Sequence, residues 1–183
     1  MIDKHYITSQ ELYLDSLRLA EQIVVSGFKP DFMVALWRGG TPIGIVVHEY
    51  LKSQGISPDH ISIRTERYDN TKIDQAGTKV KVIGLEYIVK KVNDDDSLLI
   101  VDDVFDTGLT IQAVIKTMKK KARKNTPKDI RIATVHYKPT RNETKLVPHF
   151  YVHETEKWLV YPHELMGLTP EELATKKIIL TEG

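Results

Sequence analysis

The sequence predicts an α/β fold, a mainly parallel twisted sheet flanked by helices. Three observations carry that expectation. Short apolar runs alternate with segments of helical periodicity along most of the chain. The run FMVALW (32–37) passes through Arg38-Gly39-Gly40 into a second helical segment. The run SLLIV (97–101) stops abruptly at Asp102 and Asp103, and a further helical pattern begins near Gly108.

Each element has a local cause. Thr8 and Glu11 have the spacing of a capping box, and Tyr13, Leu17, Ala20 and Val24 then recur at helical steps until Gly27. Residues 32–37 read as a buried strand. Thr41-Pro42 reads as the cap and first turn of a helix reaching about Lys52. HISIRT (60–65) reads as a strand. Residues 67–80 are polar, with Asp69, Asn70, Asp74 and Gly77, and read as a long loop of the kind that serves as a lid. VKVIG (80–84) reads as a short strand, 97–101 as a buried one, and about 108–124 as a helix. IRIATVHY (130–137) and HFYVH (149–153) are further strands. Thr169-Pro170-Glu171-Glu172 opens a late helix.

The 183 residues suffice for one domain that buries roughly 70% of its unfolded surface without a staple. The pattern loosens after Lys138. The expectation is therefore a core over about 10–137 and a small C-terminal lobe over about 138–183, with an N-terminal contribution to that lobe. With 26 Lys+Arg against 25 Asp+Glu the net charge is +1, which speaks against a nucleic-acid coat or bulk electrostatic membrane binding. The absence of Cys excludes disulfides, cysteine nucleophiles and thiolate metal sites. No apolar run approaches the ~20 residues of a membrane helix, and MIDKHY lacks the apolar stretch of a secretion signal. A cytoplasmic protein is expected.

The chemistry concentrates in residues 98–110, LLIVDDVFDTGLT. In parallel sheets the carboxyl ends of strands carry the ligand. The turn through Asp106, Thr107, Gly108, Leu109 and Thr110 supplies amides at a helix start, suited to a phosphate. Asp102 and Asp103 suit a sugar diol or Mg²⁺, a hard cation that prefers oxygen. An isolated Asp-Thr-Gly would more often merely cap a helix, but here three Asp, two Thr and one Gly follow one apolar run. Elsewhere the bland readings stand beside the functional ones. Trp158, next to Leu159 and Val160, reads equally as a core residue; Lys138 also reads as a solvated strand end. His149 and His153 lack a third ligand in register, and the basic run 116–124 reads as a solvated helix face.

VDDVFDTGLT resembles the phosphoribosyl-diphosphate (PRPP) signature of type I phosphoribosyltransferases, and within that family the chain is similar to the hypoxanthine-guanine(-xanthine) enzymes. The resemblance covers roughly 30–165. It implies that Arg38, Gly39 and Gly40 form the pyrophosphate loop, with Trp37 and Arg38 joined in cis. It implies that Asp102, Asp103, Asp106, Thr107, Gly108, Leu109 and Thr110 bind PRPP, and that Asp106 is the general base at the purine N7. Lys138 falls where relatives read the base, and Trp158 and Leu159 where they stack on and line it. Arg67-Tyr68 stands where the mobile loop carries Ser-Tyr, with Arg67 in place of the Ser. Glu164 stands where relatives place an acid for a second Mg²⁺ beside Asp102 and Asp103; the Arg that some carry further on is here represented only by Lys176 and Lys177.

The resemblance thus implies a purine-salvage transferase that uses Mg²⁺, with PRPP and a 6-oxopurine as substrates, hypoxanthine ahead of guanine or xanthine. It further implies a homodimer or homotetramer, with neither nucleic acid nor membrane as partner. The alternative is a catalytically silent PRPP-binding regulator of the same fold that binds nucleic acid. A receiver domain, which LLIVDD also opens, fails because no Asp ends a later strand.

Overall fold

The computed structural model describes residues 4–68, 79–166 and 168–178. Its centre is a six-stranded sheet of order β4-β3-β2-β5-β6-β7. The strands are β2 (Phe32–Trp37), β3 (Asp59–Tyr68), β4 (Lys79–Ile83), β5 (Ser97–Phe105), β6 (Asp129–Tyr137) and β7 (Phe150–Glu154). All neighbours run parallel except β3 and β4. The helices are α1 (Ser9–Val25), α2 (Gly40–Ser53), α3 (Glu86–Val89), α4 (Leu109–Ala122) and α5 (Pro170–Ile178). Two apolar cores form: one holds residues of α1 and α2 with Met33, Leu99, Val101, Ala133 and Val135, the other Ile111, Val114 and Met118 of α4 with Val34, Leu36, Leu98 and Ile100. Strands buried on both faces read as continuous apolar runs rather than alternating ones, which is why 32–37 and 97–101 stand out in the sequence. Among the described residues no helix is long and apolar enough to cross a membrane.

Several expectations need correction. The capping box of Thr8 and Glu11 is present, but α1 buries Leu12, Ser16, Leu19 and Ile23. Of the predicted stripe Ala20 is buried and Leu17 and Val24 are half-buried, but Tyr13 is exposed, and the buried face is widened towards Leu12, Leu19 and Ile23. Both sets have helical spacing, and tertiary contacts decide how far the buried face extends. The cap of α2 is Gly39, so Thr41 lies inside the helix. The proposed loop 67–80 is trimmed at both ends, because Arg67 pairs with Val80 and Tyr68 with Lys79 in an antiparallel ladder. The rest of that stretch, 69–78, lies outside the described residues, as do the side chains of Arg67, Tyr68, Lys176 and Lys177.

Strand β7 follows the expected divide at Lys138 yet pairs with β6 in the main sheet. What stands apart is a two-stranded parallel ladder of β1 (Lys4–Tyr6) and β8 (Trp158–Val160), neither of which the sequence reading placed as a strand. Glu172 of α5 ties to it, accepting from Lys4 Nζ at 2.8 Å and from the Tyr6 hydroxyl.

Tyr161 pins this small sheet to the core. Its side chain is buried, and its hydroxyl donates to the Asp103 carbonyl at 3.0 Å. His136 Nδ1 lies 2.9 Å from the same hydroxyl. The phenol gives its one proton to the carbonyl, so His136 Nδ1 carries the hydrogen and donates to the phenol oxygen. Burial, and then the neighbouring His153, push the His136 pKa down to about 4. The unfolded chain takes up this proton near the ordinary 6.5 and the folded chain only near 4. This histidine's contribution is therefore intact above pH 6.5 and lost as the pH falls towards 4, a loss on the order of 3 kcal/mol. Denaturant unfolding followed from pH 7.5 to 4.5 should show that decline in the wild type and a shallower one in His136→Gln. Equal declines would contradict the assignment.

Candidate active site

Parallel pairing of β2 and β5, with Phe32 opposite Leu98 and Ala35 opposite Val101, brings two strand-to-helix turns to one end of the sheet. From β2 comes Arg38-Gly39-Gly40, and the Trp37–Arg38 peptide is cis. From β5 come Asp102, Asp103 and the 106–110 turn. The two turns touch. A Cβ on Gly39 would stand 1.9 Å from Asp103 Oδ2, and one on Gly40 would stand 2.3 Å from the Val101 carbonyl oxygen. Only glycine permits this approach.

The acidic pair is half-buried. Asp103 N donates to Asp102 Oδ1 at 3.0 Å, and Val104 N to Asp103 Oδ1 at 2.8 Å. His163 Nε2 lies 3.4 Å from Asp103 Oδ2, and its ring stacks on Tyr161. Burial and the carboxylates of Asp103 and Asp102 raise the Tyr161 pKa well above its usual value, so the pin stays a phenol.

The second turn starts α4. Gly108, at φ 76°, is the helix cap, and Gln112 N makes the first helical bond to its carbonyl at 2.9 Å. Thr107 is buried. A Cβ on Gly108 would stand 2.7 Å from both Phe105 Cζ and Thr144 Oγ1. A hollow of about 180 Å³ is lined by residues 102–108, Thr110 and Ile111. A helix start with amides facing such a hollow is an anion site in general terms; Leu109, half-buried, opens the helix.

Lys138 ends β6 beside this turn, its amide donating to the Phe105 carbonyl at 2.9 Å. It is only 5% exposed, which is rare for a lysine, and its charge helps to hold the Glu156 pKa below the usual carboxylate value. Trp158 stands half-exposed on β8, and the next residue, Leu159, is buried on the other face. Leu159 lines a separate hollow of about 410 Å³ behind the small sheet, bounded by α1, His136 and His153, which contains none of the acidic pair, the 106–110 turn or Lys138. Its side chain therefore faces away from the acidic pair. Glu164 folds back on its own turn, Oε2 accepting from the Tyr161 amide at 3.1 Å.

As to a cation, the donors present are the carboxylate oxygens of Asp102 and Asp103, the hard ligands Mg²⁺ requires. Among the described residues no three His, Asp or Glu side chains gather as a metal cage. That donor set fits an ion held mainly by a substrate's own phosphate oxygens, as is usual for Mg²⁺.

Three neighbours of the site escaped the sequence reading. Tyr161 follows an apolar pair, and His163 lies in a Pro-containing turn. Arg141, three residues beyond Lys138, places Nε 2.8 Å from Asp106 Oδ1. Nothing in the local pattern marks any of them, because each acts across the fold.

A parallel α/β sheet thus brings a glycine turn, an acidic pair and a helix-start hollow to one end. The phosphoribosyl transferase domain family matches residues 5–163, and the chain belongs to that family. Among solved structures, the chain is similar to a purine phosphoribosyltransferase from Pyrococcus horikoshii OT3, at 29% identity and a TM-score of 0.70, covering 92% of this chain and 99% of that one. A hypothetical protein from Neisseria gonorrhoeae with bound ppGpp matches at 21% identity and a TM-score of 0.77, over 100% of this chain and 98% of that one. A xanthine-guanine-hypoxanthine phosphoribosyltransferase from Helicobacter pylori matches at 19% and 0.67, over 97% and 99%. The last two likenesses establish the fold alone. A comparison with curated proteins found no match.

The glycine contacts make a direct test. Gly40→Ala drives a methyl into the backbone of β5 and should cost about 1–3 kcal/mol, as overpacking does. Gly39→Ala meets only a carboxylate that can swing, and should cost less while displacing Asp103. Urea denaturation of the two variants should rank them in that order.

Proposed function

We propose that the protein is a purine-salvage phosphoribosyltransferase, moving the 5-phosphoribosyl group of PRPP to N9 of a 6-oxopurine and releasing pyrophosphate. The observation that carries this reading is a lysine, Lys138, only 5% exposed and tied through its backbone to the 105–108 turn. An ammonium offers only donors, and the purine O6 is an acceptor. Membership of the family and the likeness to the archaeal purine enzyme support the transfer chemistry.

In this reading the C1′–N9 bond forms as the bond from C1′ to the pyrophosphate oxygen breaks. The turn at 107–110 holds the 5′-phosphate, with Gly108 keeping the backbone close. Arg38 and the amides of Gly39 and Gly40 face the pyrophosphate and stabilise its growing charge. Asp102 and Asp103 hold the ribose diol and the substrate-borne cation. Bound Mg²⁺ supplies charge neutralisation for the leaving group. Asp106 accepts the purine N7 proton. Trp158 offers an aromatic face to the ring, and Leu159 reads the 2-position through its backbone. The same reading assigns a closing role to the Arg67-Tyr68 segment and a place near a second cation to Glu164.

Lys138 also sets specificity. Adenine presents an amino donor where hypoxanthine presents O6, and a buried polar mismatch of this kind discriminates by about 10⁴ or more. Turnover with PRPP and Mg²⁺ should run with hypoxanthine first, guanine or xanthine next, and almost none with adenine or orotate. Adenine or orotate as the preferred base would remove the Lys138 assignment. Asp106→Asn should cut turnover about 10²–10⁴-fold, the usual worth of a general base. Calorimetry should find its PRPP affinity reduced far less than its turnover, and full activity in the variant would take Asp106 out of the mechanism.

A further inference from the structure

The segment after Lys138 is built against the 105–108 turn. Residues Pro139–Arg141 form a short 3-10 turn, with the Arg141 amide donating to the Lys138 carbonyl at 3.2 Å. Glu143 N then donates to the Thr107 carbonyl at 3.0 Å, and Thr144 Oγ1 packs on Gly108. Asn142 braces the segment from within, accepting from Thr144 N at 2.8 Å and donating to the Leu146 carbonyl at 2.7 Å. The backbone therefore carries Arg141 to a set place beside Asp106.

The two oxygens of Asp106 have different surroundings. Oδ1 is sealed from solvent and accepts no aligned hydrogen bond; Arg141 Nε touches it at 2.8 Å as an ion pair. Yet the Asp106 side chain as a whole is 29% exposed. With Oδ1 sealed, that exposure falls on the rest of the side chain. Rotation about the bond to an Asp carboxylate is broad and roughly two-fold, so an unanchored group would wander. Glu156 also lies in the field of Arg141, but its carboxylate accepts from the Thr140 amide at 3.2 Å.

We infer that Arg141 is a positioning residue for the transfer: its guanidinium holds Asp106 Oδ1 from behind and leaves Oδ2 aimed at the purine proton. The inference rests on the proposed function, since it assigns Asp106 the base's role. Arg141 stays in place when the purine arrives, because a carboxylate can accept at both oxygens. Arg141 is 46% exposed, so the pair adds little to stability and its loss reads out in turnover.

The test is a double-mutant cycle on the intact protein, with PRPP, Mg²⁺ and hypoxanthine. Arg141→Met should lower kcat about tenfold, within the range that small misplacements of a reacting group cost. PRPP affinity by calorimetry and the thermal midpoint should stay close to wild type, and Arg141→Lys should recover part of the loss. In an Asp106→Asn background, Arg141→Met should change kcat less than twofold, because the group it positions is gone. Independent, multiplicative losses would overturn the inference. So would an unchanged kcat in Arg141→Met, or a loss confined to PRPP affinity, which would make Arg141 a phosphate ligand. A wild type inactive on every base would overturn the proposed function and this role together, whereas an active wild type with multiplicative losses would overturn this role alone.

Discussion

The contact between Gly39-Gly40 and the end of β5 is the constraint on which the site depends. It exists because β2 and β5 are parallel neighbours in one register, so their carboxyl ends finish side by side. With a Cβ at either glycine, the acidic pair or the β5 backbone would have to retreat. The glycines join the two turns into one concave surface. The cores beneath make that surface rigid: α2 and α4 each pack an apolar face on the sheet from opposite sides, so both helix starts are fixed relative to the strands.

The small β1·β8 sheet depends on the same strand end from the other direction. Tyr161 reaches the Asp103 carbonyl, and His163 approaches the Asp103 carboxylate. Asp103 is thus braced from the glycine turn on one side and from the β8 turn on the other. The pin continues through His136 to a neighbouring ring, His153, whose Nε2 lies 2.9 Å from the buried Asp15 of α1. Tyr161, His136 and Asp15 are buried, while His153 reaches solvent, and the tautomer of His136 follows from the single proton the Tyr161 phenol has to give.

The segment after β6 shows how one connection serves two purposes. Lys138 is a nearly buried residue, and three residues later the half-exposed Arg141 presents its guanidinium to Asp106. Both are placed by backbone bonds to the 105–107 stretch, Lys138 through Phe105 and the following residues through Thr107. Lys138 and the Arg141–Asp106 pair are thus held near one turn by the same few hydrogen bonds.

Much of this was present in the amino-acid order. Residues 32–37 and 97–101 are strands because runs of branched apolar residues are satisfied only between two covered faces. The Thr8–Glu11 box and Gly27 bound α1 because capping is local chemistry. LLIVDDVFDTGLT announced the turn from β5 into α4 because strand, acids, glycine and helix start all lie within one short stretch. Tertiary structure decided the rest. It set how the buried face of α1 is centred, burying Leu12, Leu19, Ala20 and Ile23 and leaving Tyr13 exposed, since only contact with the sheet fixes that centre. It placed β7 in the main sheet and joined β1 to β8 across more than 150 residues of sequence. It also turned the Leu159 side chain away from the acidic pair and brought Arg141 onto Asp106. Strand order, the facing of a side chain and a pairing between distant residues are properties of packing, and no local pattern of residues encodes them.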